Sequence, residues 1–346
     1  MRRTALVAVL LAFVVVVMGA WVRLSNAGLG CPDWPGCYGH VTPLGARADI
    51  AAGTTNPAGT PLAMERAWKE MLHRYAAGAL VILILGLTAL AFTQRRVRVR
   101  GAGMLCLALV GIVLIQALLG MLTVTWLVAP QIVTLHLLFG LITLGLLWWL
   151  WLALNQQAPR AARTSLGLGH KPSMGWEKTF GPARRLAQLA LAALLIQVAL
   201  GGWTSTNYAA IACPDFPTCQ NAWWPDMEFG AGFHLWDPLT VNYEGGRLDN
   251  AARVAIHFTH RLGAFVAAVA MLLSALWVLR ERGLSRARWE ALAVIGALVL
   301  QLFIGITMVE EGFPLWLATA HNGGAALTLL AVLALNFRLG AIAARA

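Results

Sequence analysis

The chain has 346 residues, of which 59% are hydrophobic and 12% charged, with a net charge of +11. A soluble domain carries about 25% charged residues, so a water-soluble enzyme, a disordered chain and a disulfide scaffold are excluded as whole-chain architectures. What remains is an all-α polytopic membrane protein, in which the arginine excess marks a cytoplasmic face rather than a nucleic-acid partner.

Apolar runs near 4–22, 67–93, 103–127, 131–153, 183–203, 251–279, 287–309 and 315–337 predict eight spanning helices. Each is about 20 residues or more, enough for a ~30 Å hydrocarbon core. With a cytoplasmic N-terminus, 18 of the 26 Lys and Arg fall inside, among them Arg95, Arg96, Arg98, Arg100, Arg160, Arg163, Lys171 and Arg345. Both termini inside is therefore the expected orientation. The run after Arg2 and Arg3 resembles a secretory signal, but it is long for one and no A-x-A site follows cleanly.

The two halves of the chain repeat. GAWVRLSNAGLGC at 19–31 returns as GGWTSTNYAAIAC at 201–213, and CPDWPGC at 31–37 as CPDFPTC at 213–219. EMLHR at 70–74 matches HFTHR at 257–261, Gln116 and Gly120 match Gln301 and Gly305, and His136 matches His321. Four spans per half is an even number, so both halves point the same way. The expected fold is a 4+4 parallel repeat of two pseudo-symmetric four-helix bundles: residues 1–153, a cytoplasmic linker 154–182 and residues 183–346. The first span is then the counterpart of the fifth and belongs to the fold.

His73, His136, His260 and His321 fall inside predicted spans, two per half, each a few residues below the outer end of an even-numbered helix. An ionisable side chain inside a span is by default a functional-site hypothesis. Two neutral imidazoles on facing helices suit the axial positions of a haem iron. Single interhelical hydrogen bonds are the plainer alternative, which four matched histidines weaken. Zinc or copper lacks a third ligand at that depth. His40, His170 and His234 fall in loops. Arg74 and Arg261 follow two of the histidines and suit either haem propionates or the lipid headgroups. Glu70 lies three residues before His73 on the same helix face, where the second half has His257. It suits proton transfer beside a reacting group, or an ion pair with Arg66 or Arg74. Cys31 with Cys37 and Cys213 with Cys219 lie in outer loops, an oxidising side, and each pair is a candidate disulfide. Cys106 is expected to pack in its span.

Together these features resemble the haem A synthase family across nearly the whole chain: eight spans, the repeat, GCPDWPGC after the first span, E-x-x-H-R in the second, H-F-T-H-R in the sixth, and His136 and His321 in the fourth and eighth. The resemblance implies haem b as cofactor with His260 and His321 as its axial ligands, and haem O as substrate with His73 and His136 flanking its iron. It implies Glu70 as the catalytic acid, and oxidation of the haem O C8 methyl to a formyl group through successive hydroxylations and loss of water. It further implies a bacterial inner membrane, with the cysteine loops and haem sites toward the outer side, haem O synthase as a partner and an external electron donor or acceptor, and it leaves room for a homo-oligomer. A dihaem electron-transfer protein using all four histidines without substrate chemistry, or a transporter with a histidine proton relay, is the alternative.

Overall fold

The computed structural model describes residues 1–53, 55, 59, 63–93, 101–156, 176–236, 238 and 241–343, with side chains for all of these except 176–180 and 343. Most of the expected linker 154–182, His170, the arginines at 95–100, 160 and 163, Lys171 and Arg345 lie outside the described residues. Eight helices are long and apolar enough to cross a membrane: α1 Arg2–Leu24, α2 Met64–Thr93, α3 Ala102–Thr125, α4 Pro130–Gln156, α5 Trp176–Thr206, α6 Asn250–Arg280, α7 Arg288–Glu310 and α8 Leu315–Ala343. The protein is a multi-pass, all-helical membrane protein. Helix is the form an apolar run must take in lipid, because every backbone N–H and C=O is then paired within the segment.

Local chemistry sets the helix ends. Gly101 occupies the left-handed region (φ 87°) before α3, where a side chain would be strained. Pro130 opens α4 at the position where its missing N–H costs nothing. Leu127 and Val128, in the turn before it, both have positive φ (47° and 55°). The backbone N–H of Tyr243 donates to the Leu127 carbonyl at 3.1 Å, so a loop of the second half pins this turn of the first.

Helices α1–α4 close into a ring in chain order, α1 on α2, α2 on α3, α3 on α4 and α4 back on α1; α5–α8 close in the same way. The rings meet along α1 against α8, α5 against α4, and α4 against α8. Lipid tails are as apolar as leucine, so packing and interhelical hydrogen bonds hold such helices together. Leu144, Leu147 and Leu150 of α4 and Leu335 and Leu339 of α8 are fully buried in the core. The Trp148 indole N–H donates to the Leu330 carbonyl at 3.0 Å, and the Asn336 amide donates to the Ala187 carbonyl at 2.9 Å.

Small residues let the rings approach. A Cβ on Gly202 of α5 would lie 3.1 Å from Cγ2 of Thr134 and 3.2 Å from Cδ2 of Leu137, both on α4. Gly202→Leu is expected to cost about 1–3 kcal/mol through overpacking, read as a lower thermal unfolding midpoint in detergent. Gly86→Leu is the control, because a Cβ there meets no atom within 4 Å, and it should leave the midpoint unchanged.

Candidate functional site

The four expected histidines sit at matched positions. His136 and His321 are the seventh residues of α4 and α8; His73 and His260 are the tenth and eleventh of α2 and α6. At 1.5 Å per residue this places all four about 10–17 Å along their helices. Within each half the two imidazoles are close enough to interact electrostatically. Each ring rests on a glycine of a neighbouring helix. A Cβ added to Gly19, Gly120, Gly201 or Gly305 would lie 3.0, 3.4, 3.1 and 3.0 Å from Cε1 of His73, His136, His260 and His321 respectively. The sequence repeat contains these four glycines, and their role is to make room for a ring inside a packed bundle.

In the first half the histidines border a cavity of about 760 Å³, within the range of a small-molecule site. Gly19, Glu70, His73, Arg74, Gln116 and His136 line it, and Ser205, Thr206 and Asn322 close it from the second half. The rest of its wall is mainly aliphatic. Nδ1 of His73 and Nδ1 of His136 are buried without a hydrogen-bond partner, so the cavity holds two imidazoles with unused ring nitrogens.

Above the histidines, both cysteine pairs are disulfides: Cys31–Cys37 and Cys213–Cys219. The two loops share their construction. Each has a cis X–Pro bond (Trp34–Pro35, Phe216–Pro217) and a small antiparallel bridge (Cys37 with His40, Cys219 with Ala222). In each an aspartate accepts two backbone N–H groups: Asp33 from Tyr38 and Gly39, Asp215 from Gln220 and Asn221. Desolvation pushes the Asp215 carboxyl up, but bonds from the Thr218 hydroxyl and the Asn221 and Gln220 amides outweigh it and hold the group below the usual carboxylate range. Burial, followed by the charges of Glu70 and Asp33, pushes the Tyr38 phenol up to about 12. It stays neutral and donates to the Gly30 carbonyl at 3.1 Å.

The two arginines suggested for propionates fasten these loops. Arg74 donates to the carbonyls of Asp33, Pro35 and Gly36. Arg261 donates to those of Cys213, Asp215 and Thr218 at 3.0, 2.8 and 2.7 Å. Each is steadied from one helical turn earlier, Arg74 by an ion pair with Glu70 and Arg261 by a 3.3 Å bond to Nε2 of His257. Glu70 is 5% exposed. Its other oxygen accepts the Cys31 N–H at 2.9 Å, so this carboxylate joins cavity, arginine and disulfide loop. Arg66, the other candidate partner of Glu70, pairs with Glu244 instead at 3.2 Å.

Sequence reasoning did not assign a role to three glutamines. Gln116, Gln197 and Gln301 donate to the backbone carbonyls of His136, His260 and His321 at 3.0, 3.0 and 3.1 Å. The signal that finds them is a recurring Gln-x-x-x-Gly, at 116–120, 197–201 and 301–305.

Gly30 tests the loop clamp. A Cβ there would lie 2.6 Å from the carbonyl carbon and oxygen of Arg66, which are backbone atoms that cannot swing aside. Gly30→Ala is expected to lift the loop from α2 and break the bond between the Cys31 N–H and Glu70. Loss of such a charge-assisted bond, about 1.5–3 kcal/mol, corresponds to roughly tenfold or more in loop opening. Cys31–Cys37 should then be reduced by dithiothreitol at least about tenfold faster, with Cys213–Cys219 unchanged as the internal reference. Arg74→Leu should act in the same direction.

Comparison with known proteins bears on the same features. Residues 2–333 match the model of the COX15-CtaA family, described as cytochrome oxidase assembly protein. A heme A synthase of Shewanella oneidensis is 37% identical over 98% of this chain and 97% of its own length. Heme A synthases of Methylobacterium sp. (strain 4-46) and Caulobacter vibrioides are 29% and 25% identical, over 99% and 95% of this chain and 92% and 93% of their own lengths. With the match running from the first span into the last, the chain belongs to the COX15-CtaA family of cytochrome oxidase assembly proteins.

Proposed function

We propose that this protein is a haem A synthase, which oxidises the C8 methyl of haem O to the formyl group of haem A. The observation that carries this is the first-half cavity: about 760 Å³, largely aliphatic, bordered by two imidazoles with a buried carboxylate beside them. Whole-length similarity to curated heme A synthases supports it.

The donor set fits haem. Two imidazoles from facing helices suit a six-coordinate iron, and aliphatic walls suit a large apolar macrocycle. In this assignment residues 1–153 form the substrate half, with His73 and His136 beside the haem O iron. Residues 183–346 would form the cofactor half, joined through 154–182, with His260 and His321 holding haem b. When bound, haem b supplies one-electron transfer. Its glycine seats at Gly201 and Gly305 match those of the substrate half.

The remaining roles belong to the protein's own groups. Glu70 holds or moves a proton at the cavity wall, where its carboxylate is fixed by Arg74 and the Cys31 N–H. Arg74 also borders the cavity, so it can meet a propionate while bound to the loop; Arg261 takes the same place in the other half. The disulfide loops cap the site and exclude water, which protects a methyl oxidation from side reactions. The substrate enters from the bilayer, with haem O synthase as its supplier.

An even number of spans puts both termini on one side. Arg184, Arg185, Arg280, Arg282, Arg286, Arg288 and Arg338 lie at helix ends remote from the cysteine loops. This supports cytoplasmic termini and outward-facing loops in a bacterial inner membrane.

Co-expression with a haem O source, followed by haem extraction and chromatography, tests the assignment. The parent should yield haem A beside haem b. Glu70→Gln keeps an acceptor for the Cys31 N–H and removes the charge; it should retain haem b and lower haem A output by about 10²-fold or more. His260→Ala and His321→Ala should deplete the haem b spectrum. Unchanged haem A from Glu70→Gln would remove the carboxylate from the reaction, and a colourless parent protein would overturn the assignment.

A further inference from the structure

Helices α3, α5 and α7 carry the same device. Gln116 and Gly120, Gln197 and Gly201, and Gln301 and Gly305 stand four residues apart, so both members of each pair face one neighbouring helix. The glycine seats the imidazole, and the glutamine reaches the backbone carbonyl of that same histidine. Each amide lies in a notch made by a glycine one turn beyond the histidine. A Cβ on Gly140 would lie 3.0 Å from Nε2 of Gln116, and a Cβ on Gly263 or Gly324 would collide with Oε1 of Gln197 or Gln301. Helix α1 is the exception: Gly19 seats His73, but the residue four positions before it is Val15, which lines the cavity.

Restraint on the rings is therefore graded. In the second half the glutamine amides also reach the imidazoles: Nε2 of Gln197 is 3.0 Å from Nδ1 and 3.5 Å from Nε2 of His260, and Nε2 of Gln301 is 3.3 Å from Nδ1 and 3.2 Å from Nε2 of His321. In the first half Gln116 holds the backbone of His136 but leaves its Nδ1 unpartnered, and Nδ1 of His73 is unpartnered with no glutamine at all. The ring nitrogen remote from a bound metal is almost always hydrogen-bonded. That bond fixes ring orientation and raises basicity, and its loss typically weakens metal binding 10–100-fold. A glutamine amide offers both an acceptor and two donors, and Oε1 of all three glutamines is buried and unpartnered. Turned end for end, the amide of Gln197 or Gln301 would present that oxygen to a protonated Nδ1 in exchange for its bond to the histidine carbonyl.

We infer that Gln197 and Gln301 are positioning residues that lock His260 and His321 onto a resident haem, and that His73, with Val15 where the other sites have glutamine, is the ligand that releases. Haem then stays in α5–α8 and exchanges in α1–α4. This rests on the haem content proposed for the two halves, and it identifies the interaction that makes one bundle a cofactor site and the other a turnover site.

The test uses the full-length protein purified in detergent. Haem per chain is measured by pyridine haemochrome, haem loss by transfer to apomyoglobin, and ring orientation by the low-spin electron paramagnetic resonance signal. Gln197→Leu and Gln301→Leu should each speed haem b loss about 10–100-fold and shift the low-spin signal. Gln197→Glu, which restores an acceptor, should recover retention and lower the haem midpoint potential, a change that a packing role would not produce. Val15→Gln should add retention in the first half, raising haem per chain and slowing first-half loss by about tenfold or more. Parental loss rates and signal in both leucine variants, or no added retention in Val15→Gln, would overturn the inference while leaving the haem assignment intact. A parent protein that binds no haem would overturn the assignment itself, and the inference with it.

Discussion

Placing an imidazole inside a membrane-spanning bundle poses one physical problem from which most of this structure follows. A polar ring in hydrocarbon is costly unless its nitrogens find partners, and it is also too bulky to slip between closely packed helices. Here the space is made by removing a side chain from the facing helix, at Gly19, Gly120, Gly201 and Gly305. Each histidine then has a fixed partner helix, and those pairings coincide with the contacts that close α1–α4 and α5–α8 into rings. The glycines let the helices approach, and the approach places the rings.

The same economy governs the disulfide loops. A loop of five residues between cysteines has many carbonyls and few apolar groups to bury, so a guanidinium with five donors is an efficient anchor. Arg74 and Arg261 each gather three loop carbonyls from a position one residue beyond a histidine. The histidine and the anchor of the loop are thereby adjacent residues of one helix. The group that steadies the arginine differs between halves. His257 accepts through a ring nitrogen, whereas Glu70 brings a carboxyl group into the wall of the cavity.

Much of this was legible in the sequence because lipid restricts the options. Eight apolar runs could only be helices, and the histidines inside them stood out against that background. The paired cysteines, candidates for disulfides by their spacing in matched loops, are disulfides. The use of Arg74 and Arg261 was not legible, since backbone carbonyls carry no side-chain signature and any loop can supply them. The glutamine clamp was harder still. Gln197 has no counterpart on α1, where Val15 stands, so a comparison of the two halves passes over it. The turn at Leu127 and Val128 carries no motif in its sequence TWLVAPQ, yet its left-handed backbone is held by Tyr243, more than a hundred residues away.

Along the seam between the rings, residues 182 to 185 positions apart meet. Arg23 donates to Tyr208 and to the carbonyl of Ser205, and the Tyr208 hydroxyl donates to Asn26. In a symmetric dimer of a single bundle, a residue on the two-fold axis can only face its own copy, so an arginine there would face an arginine. Carrying both bundles on one chain removes that restriction. Each side of the seam can change independently, and a cation can be met by a phenol and a carbonyl rather than by its like. The freedom that lets these facing positions differ also lets one bundle keep a glutamine where the other has a valine, so joining two bundles in one chain is what permits them to diverge.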